Sequence, residues 1–161
     1  MEINIIAAVA ANRAIGYQND MVYFIREDLK RFKQLTTGHT VIMGRKTFHS
    51  LPKGALPNRR NIVLSRTETD FPGCEVYSSL VEALKHIGEE EKAFIIGGAS
   101  LYKEALAIAD HLYLTEIAAI PPQADVFFPE YNDDTWVVES CEERPAADDN
   151  PAYAFVNYVR K

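Results

Sequence analysis

The chain has 161 residues, 47% of them hydrophobic and 25% charged, and a net charge of −6, which argues against general binding to nucleic acid. This size predicts one domain, residues 1–161, and the composition excludes collagen-like, disordered and coiled-coil proteins. The two cysteines lack the spacing of a zinc site, and the longest apolar run, Ile5–Ala11, has seven residues, too short to span a membrane. With an acidic N-terminus unlike a secretory signal, we expect a cytoplasmic protein.

Short apolar runs alternate with helical patterns along the chain. Strands are predicted at residues 3–11, 40–43, 61–65, 74–77, 93–96 and 111–116. Helices are predicted at residues 26–35, 47–51, 80–87 and 99–107. The last elements form a predicted hairpin, residues 135–142 and 152–160. This order predicts an α/β fold with a largely parallel sheet and an antiparallel C-terminal edge.

Positive charge is concentrated in one part of the chain. The 39 residues between Asp28 and Glu68 contain nine basic residues and no acidic one, whereas the rest carries a net charge of −15. A positive field within an acidic protein suits a small anionic ligand. We interpret Lys30, Arg31 and Lys33 as a solvated helix face, and the other basic residues, at strand ends and turns, as candidate ligand contacts.

Asp28 interrupts the apolar face of the first predicted helix. Ile25, Leu29 and Phe32 recur on this face at helical spacing. A carboxylate among them is costly to bury, so its pKa is expected to be raised, as in a general acid or an anchor for a cationic ring. The alternative is that Asp28 pairs with a nearby backbone donor.

Three predicted strands end in residues suited to binding phosphate. The first runs into Gly44-Arg45-Lys46-Thr47, the second into Ser65-Arg66-Thr67 and the third into Gly97-Gly98-Ala99-Ser100. Ligands of open α/β sheets bind beyond the carboxyl ends of the strands, and paired glycines let the backbone approach them closely. These ends suggest a nucleotide with more than one phosphate group, although neither a GxGxxG motif nor a P-loop is present.

The sequence lacks the motifs of several other chemistries. None of its four histidines has metal-binding spacing, and no GxSxG nucleophile motif is present. With one candidate buried acid and no predicted metal or nucleophile, hydride transfer from a bound cofactor fits better than hydrolysis or acyl transfer.

Several short motifs occur in a fixed order along the chain: 6–8, 14–16, Asp28 with 32–33, 41–47, 56–61, 96–98, 113–115, and Asp125 with 128–129. Through these motifs the chain closely resembles the bacterial dihydrofolate reductases over essentially its whole length. The resemblance implies a mixed eight-stranded sheet flanked by helices. It also implies reduction of 7,8-dihydrofolate to 5,6,7,8-tetrahydrofolate by hydride transfer from NADPH.

The resemblance also implies roles for individual residues. Asp28, Tyr23 and Thr115 are the implied catalytic residues, and no metal is implied. The implied substrate site comprises Ile6, Ala8, Asp28, Leu29, Phe32, Leu51, Leu56, Arg59, Ile96 and Thr115. The implied cofactor site comprises Ala8, Ile15, Gly16, Met21, Gly44, Arg45, Lys46, Thr47, Leu64, Ser65, Arg66, Ile96, Gly97, Gly98, Ala99, Ser100, Leu101 and Tyr102.

Within this scheme Asp28 binds the pterin ring and Arg59 the α-carboxylate of the glutamate tail. Residues 11–24 form the mobile loop over the site, which Asp125 helps to hold closed, and water delivers the proton to N5. The family also implies a cis peptide between Gly97 and Gly98.

The chain departs from the family pattern at two places. Val22-Tyr23 replaces a common Pro-Trp pair, so the Tyr23 hydroxyl takes over the water contact of the tryptophan. Ser100 replaces an arginine found in many bacterial relatives, and we expect Arg66 to compensate for its loss. Two alternatives remain open: an NADPH-dependent reductase of a riboflavin-pathway pyrimidine, and a catalytically silent pterin- or nucleotide-binding module. We expect a monomer that binds neither nucleic acid nor membranes.

Overall fold

The computed structural model describes residues 1–147 and 149–161. The eleven strands are β1 Glu2–Ala10, β2 Ala14–Tyr17, β3 Asp20–Met21, β4 Thr40–Gly44, β5 Arg60–Leu64, β6 Cys74–Tyr77, β7 Lys92–Gly97, β8 His111–Ile117, β9 Val126–Phe127, β10 Trp136–Arg144 and β11 Tyr153–Arg160. The four helices are α1 Arg26–Thr36, α2 Arg45–Ser50, α3 Leu80–Leu84 and α4 Ala99–Ala105.

Eight strands form the central sheet, in the order β10-β11-β8-β1-β7-β4-β5-β6. The six strands from β8 to β6 pair in parallel, whereas β11 is antiparallel to both β8 and β10. The predicted mixed, mostly parallel eight-stranded sheet with an antiparallel C-terminal hairpin is therefore confirmed.

The central strands are buried because helices and loops cover both faces of the sheet. Ile3, Ile5 and Val9 of β1 belong to one apolar cluster, and Ile6 belongs to a second. Because successive side chains of a strand point to opposite faces, a strand buried on both sides has a nearly continuous apolar sequence. This explains why most ends of the central strands lie within one or two residues of the positions that the apolar runs predicted.

Helix α1 packs against the second apolar cluster and positions the candidate acid, Asp28. Glu27 and Asp28 lie in its first turn and Lys33 in its last, which matches the direction of the helix dipole. The helix ends where the amide of Thr37 donates to the carbonyl oxygen of Lys33, and the chain then turns at Gly38, whose φ of +83° favours glycine.

The remaining helices are short, and all three differ from the prediction. Helix α2 begins at Arg45 rather than at residue 47, α3 ends at Leu84 rather than at residue 87, and α4 ends at Ala105 rather than at residue 107. No helix within residues 1–147 and 149–161 is long and apolar enough to cross a membrane.

A second, three-stranded sheet was not predicted. Strands β3, β2 and β9 pair in that order, so the segment 11–24, predicted to be a loop, contains two short strands. The turn between them places Gln18 and Asn19 at φ values of 50° and 62°.

Candidate active site

Asp28 and Thr115 lie together beside the central strands. Asp28 is half-buried in α1, and the hydroxyl of Thr115, which is buried in β8, donates a hydrogen bond to its Oδ1 atom. Burial raises the pKa of Asp28, while the bond from Thr115 and the charge of Arg31 lower it in part. The structure thus brings together the predicted acid and its predicted hydroxyl partner.

Apolar side chains from several elements form the second cluster, to which α1 contributes Phe32. Ile6 of β1 packs in the second cluster with Phe32, Leu51, Leu56 and Ile96. These five side chains were predicted to line the substrate site, and the structure places them in one continuous cluster.

Two further predicted substrate contacts lie next to this cluster. Leu29 is half-buried on α1, directly after Asp28, and Ala8 is half-buried on β1, opposite Thr115 in the strand register.

Arg59 lies at the far end of α1 from Asp28. Its guanidinium donates from Nη1 to the Thr36 hydroxyl at 3.1 Å and from Nε to the carbonyl oxygen of Pro57 at 2.9 Å. Burial lowers the pKa of Arg59, although not enough to discharge it. Thr36 lies eight residues after Asp28, so the carboxylate and the guanidinium are separated by about 12 Å of helix.

The three predicted phosphate-binding strand ends meet at one edge of the sheet. Strand β4 pairs with β5 on one side and with β7 on the other, which sets Gly44 opposite Leu64 and Met43 opposite Gly97. Next to these ends lie Arg45, Lys46, Thr47, Ser65 and Arg66, the predicted phosphate ligands.

Gly97 and Gly98 form a cis peptide, as the resemblance implies. The φ of Gly97 is +131°, and a Cβ atom there would come within 3.2 Å of the Thr47 hydroxyl oxygen and 3.5 Å of the Tyr102 hydroxyl oxygen. The position therefore requires glycine, and its bare backbone lies directly beside Thr47.

Residues after the glycine pair begin α4. Ala99 is half-buried and Ser100 is exposed, whereas Leu101 and Tyr102 are buried in the main core cluster. The Tyr102 hydroxyl donates a hydrogen bond of 2.9 Å to the carbonyl oxygen of Ile6, which ties α4 to the strand that lines the site.

An acidic residue lies beside the predicted phosphate ligands. Glu68 approaches Arg45 at 3.6 Å and His49 at 3.0 Å, and its amide donates to the Ser65 hydroxyl at 3.0 Å. No pattern in the sequence indicates this arrangement, because Glu68 lies just outside the basic stretch.

The segment 11–24 is attached to the loop around β9. The amide of Asp125 donates to the carbonyl oxygen of Gly16 at 2.9 Å, and the amide of Gln18 donates to the Asp125 carboxylate at 3.0 Å. Within this segment Ile15 packs partly against the main core, Met21 is exposed, and Tyr23 is half-buried between β3 and α1.

Two basic residues have different roles from those predicted. Arg31, interpreted as solvated, is half-buried: it stacks on Phe155 and donates to Asn157. Arg60, counted among the candidate ligand contacts, instead pairs with Glu75 at 2.6 Å and with Glu91 at 2.9 Å. The partners of both arginines lie far away in the sequence, so neither helical periodicity nor local charge could predict these contacts.

Comparison with known proteins gives one consistent result. The family model for dihydrofolate reductase matches residues 2–160. The dihydrofolate reductase of Bacillus subtilis (strain 168) is 42% identical over 99% of this chain and 95% of its own length. That of Neisseria gonorrhoeae is 43% identical over 100% of this chain and 99% of its own length.

A solved structure gives the same result at the level of the fold. Dihydrofolate reductase from Enterococcus faecalis, complexed with NADP(H) and RAB-propyl, superposes with a TM-score of 0.91 at 29% identity. The alignment covers 99% of this chain and 96% of that one. Neither alternative function left open by the sequence gains support from these similarities.

Proposed function

The chain belongs to the dihydrofolate reductase family, and we propose that it reduces 7,8-dihydrofolate to 5,6,7,8-tetrahydrofolate at the site built around Asp28 and Thr115. The observation that carries this assignment is the half-buried carboxylate, hydrogen-bonded by a threonine, on a helix that contributes to an apolar cluster. A planar, nitrogen-rich ring fits these surroundings, because apolar side chains contact its faces while the carboxylate accepts hydrogen bonds from its edge.

The residues at the carboxyl edge of the sheet fit NADPH as the cofactor. The bare backbone at Gly97 lies beside Thr47, where a Cβ atom would crowd the threonine hydroxyl. Arg45, Lys46 and Arg66 supply positive charge, and Ser65 supplies a hydroxyl group, for the phosphates. When bound, NADPH supplies the hydride that reduces the substrate.

In the proposed mechanism Asp28 orients and polarises the substrate ring. Its carboxylate accepts hydrogen bonds from the 2-amino group and ring N3, and the Thr115 hydroxyl keeps it in place. Water delivers the proton to N5, while residues 11–24, with Tyr23 near the end of the segment, control the access of water to the ring.

Arg59 is proposed to bind the glutamate tail of the substrate. A guanidinium group binds a carboxylate through paired hydrogen bonds, and this one lies about 12 Å along α1 from Asp28. That separation suits a substrate whose ring binds at Asp28 and whose tail extends along the helix past Phe32 and Leu56.

For the molecule as a whole, we propose that residues 1–161 form one domain that acts as a monomer in the cytoplasm. The negative net charge and the absence of a membrane-crossing helix within residues 1–147 and 149–161 are consistent with a protein that binds neither nucleic acid nor membranes.

The direct test is the loss of NADPH near-ultraviolet absorbance when dihydrofolate is added. We expect rapid oxidation that a diaminopyrimidine antifolate inhibits, and slower oxidation of NADH, which lacks the 2′-phosphate that the cationic residues would bind. Folded protein that binds NADPH but does not oxidise it with dihydrofolate would contradict the proposed substrate. Protein that binds no NADPH would contradict the proposed cofactor site.

A further inference from the structure

Arg31 shares α1 with Asp28 but has no role in the mechanism proposed above. Its guanidinium carbon lies 4.6 Å from the centre of the Phe155 ring, and Nη2 donates a hydrogen bond to the side-chain oxygen of Asn157. A cation stacked on an aromatic face and bonded through a planar donor group is held in a defined position.

The two partners of Arg31 belong to the strand that pairs with β8. In that register Phe155 lies opposite Thr115, and Asn157 lies opposite Tyr113. Arg31 therefore connects α1, which carries Asp28, to the strand next to the one that carries Thr115.

Arg31 also lies one helical turn after Asp28, a spacing that makes two side chains neighbours on a helix surface. Burial is the largest influence on the Asp28 carboxyl and raises its pKa, whereas the Thr115 hydroxyl and the charge of Arg31 lower it. Burial also lowers the pKa of Arg31, whereas the charges of Asp28, Glu142 and Tyr113 raise that pKa in part.

Other titratable groups also lie near this pair. On β10, Glu142 acts on Arg31 and pairs with Arg144 at 2.9 Å, and the guanidinium carbon of Arg144 lies 5.6 Å from the centre of the Phe155 ring. Burial raises the pKa of Tyr102 on α4 and of Tyr153 on β11, and the charge of Asp28 raises both further. Both phenols are therefore neutral at pH 7, and the group that counteracts the burial of Asp28 with a positive charge is Arg31.

We propose that Arg31 is a positioning residue of the reductase: anchored on β11, it holds Asp28 against Thr115 and keeps the carboxylate in its charged form as the substrate ring binds. The inference rests on the proposed role of Asp28. It assigns Arg31 no contact with substrate or cofactor.

The test compares three variants with the unmodified protein. Arg31→Met keeps an unbranched side chain that packs on Phe155 but removes the charge, and Arg31→Lys keeps the charge without the planar donor group. Lys30→Met is the matched control, because Lys30 precedes Arg31 on α1 but forms an exposed ion pair with Glu27. For each protein, kcat and KM for dihydrofolate are measured from about pH 5 to pH 9 at saturating NADPH.

We expect Arg31→Met to raise the apparent pKa of kcat/KM by about half a unit to one unit. The direction is the same whether the titrating group is the Asp28 carboxyl or a nitrogen of the bound ring, because removing a nearby cation favours the protonated form of either. Arg31→Lys and Lys30→Met should keep the original apparent pKa.

An unchanged apparent pKa in Arg31→Met would overturn the inference, and so would an equal rise in Arg31→Lys, since the charge would not then be the cause. If Arg31→Met does not fold, Arg31→Gln takes its place, because glutamine can still donate to Asn157 without a charge.

Asp28→Asn, measured in the same series, separates this inference from the proposed function. Full activity of Asp28→Asn would contradict the proposed role of Asp28 and, with it, the role of Arg31. An inactive Asp28→Asn together with an unchanged pH profile in Arg31→Met would contradict the inference on Arg31 alone.

Discussion

The Asp28 carboxylate combines a half-buried position with a proposed need to be charged. Burial raises its pKa, and the hydroxyl of Thr115 and the charge of Arg31 offset only part of that effect. An environment that disfavours the charged form needed for function lowers the stability of the folded protein, as is common at active sites. Activity and stability should therefore respond in opposite directions when the charge is removed.

We expect Asp28→Asn to fold but to reduce turnover at pH 7 by about 100- to 1000-fold, because the amide presents one acceptor oxygen to the ring edge where the carboxylate presents two, and it cannot stabilise positive charge on the ring. Activity should recover in part at low pH, where substrate protonated beforehand can react. Steady-state kinetics with NADPH and dihydrofolate test this, with Glu27→Gln as the control on the exposed face of the same helical turn. Unchanged turnover at pH 7 would remove Asp28 from the mechanism.

The same substitution should stabilise the protein at neutral pH. Because the pKa of Asp28 is raised in the folded state, ionisation of this group favours unfolding, and its cost is present at pH 7 but absent below about pH 4. We expect Asp28→Asn to increase the free energy of unfolding by about 1 kcal/mol at pH 7. Urea denaturation at pH 7 and below pH 4 measures the difference, and a gain that persisted at the lower pH would have another cause.

Arg59→Leu should affect the binding of substrate more than the chemical step. Loss of a charge-assisted contact of about 1.5–3 kcal/mol should raise KM for dihydrofolate roughly 10- to 150-fold with little change in kcat. A reduced pterin without the glutamate tail is the matched control, since its KM should not depend on Arg59. Equal KM values for dihydrofolate in the two proteins would exclude Arg59 from the tail site.

At this scale the sequence revealed the residues that break a local pattern. The sequence predicts a role for Asp28 because a carboxylate interrupts an apolar helix face. It predicts ligand binding at the strand ends because glycines there precede cationic and hydroxyl side chains. The prediction of a solvated position for Arg31 is wrong because its partners, Phe155 and Asn157, lie at the far end of the chain. A contact made only in the folded state leaves no mark on helical periodicity.

At the scale of elements, the small sheet of β3, β2 and β9 organises the segment 11–24. Its strands have two to four residues, too few for an alternating pattern to be recognised. The hairpin turn uses two residues with positive φ, Gln18 and Asn19, and glutamine is not among the residues that normally signal such a turn. The longer strands of the main sheet were predicted because their burial requires long apolar runs.

Asp125 connects the segment 11–24 to the loop around β9, and this connection can be tested directly. We expect Asp125→Ala to speed hydrogen exchange at the amide of Gln18 and to lower turnover by roughly 2- to 10-fold, because it removes a hydrogen bond of about 1 kcal/mol between two loops. Asp133→Ala, at an exposed position in a nearby loop, serves as the control. Faster exchange with unchanged turnover would mean that the attachment does not influence catalysis.

At the scale of the whole molecule, the proposed phosphate ligands and a stabilising ion network lie at opposite ends of the parallel strands. The phosphate ligands gather at the carboxyl ends. At the amino ends Arg60, at the start of β5, joins Glu75 of β6 and Glu91 before β7, next to Arg59, the proposed ligand of the substrate tail. Changes to the ion network should therefore have little effect on the phosphate site.

Arg60→Met should destabilise the fold with little effect on KM for NADPH. Hydrogen bonds from Arg60 and other groups lower the pKa of Glu75 and Glu91, so their contribution to stability is present at neutral pH and is lost as the pH falls through these lowered values, below about pH 4. Allowing for solvent screening, we expect a loss of about 1 kcal/mol at pH 7 that disappears in acid, measured by urea denaturation. Lys85→Met, which breaks the exposed pair with Glu82, should cost less, and a change in KM for NADPH in Arg60→Met would show that the two ends of the strands are coupled.

The order of strands in the sheet also constrains how the protein can be made. Strand β1 leaves the ribosome first, yet its neighbours are β7, where Glu2 pairs with Lys92, and β8, where Asn4 pairs with His111. The far side of β8 pairs with β11, residues 153–160. At a synthesis rate of about 5–20 residues per second, the apolar run of β1 stays unpaired for several seconds. Nascent chains that stall before residue 92 will expose this strand, which makes them natural substrates for chaperones that bind extended apolar segments.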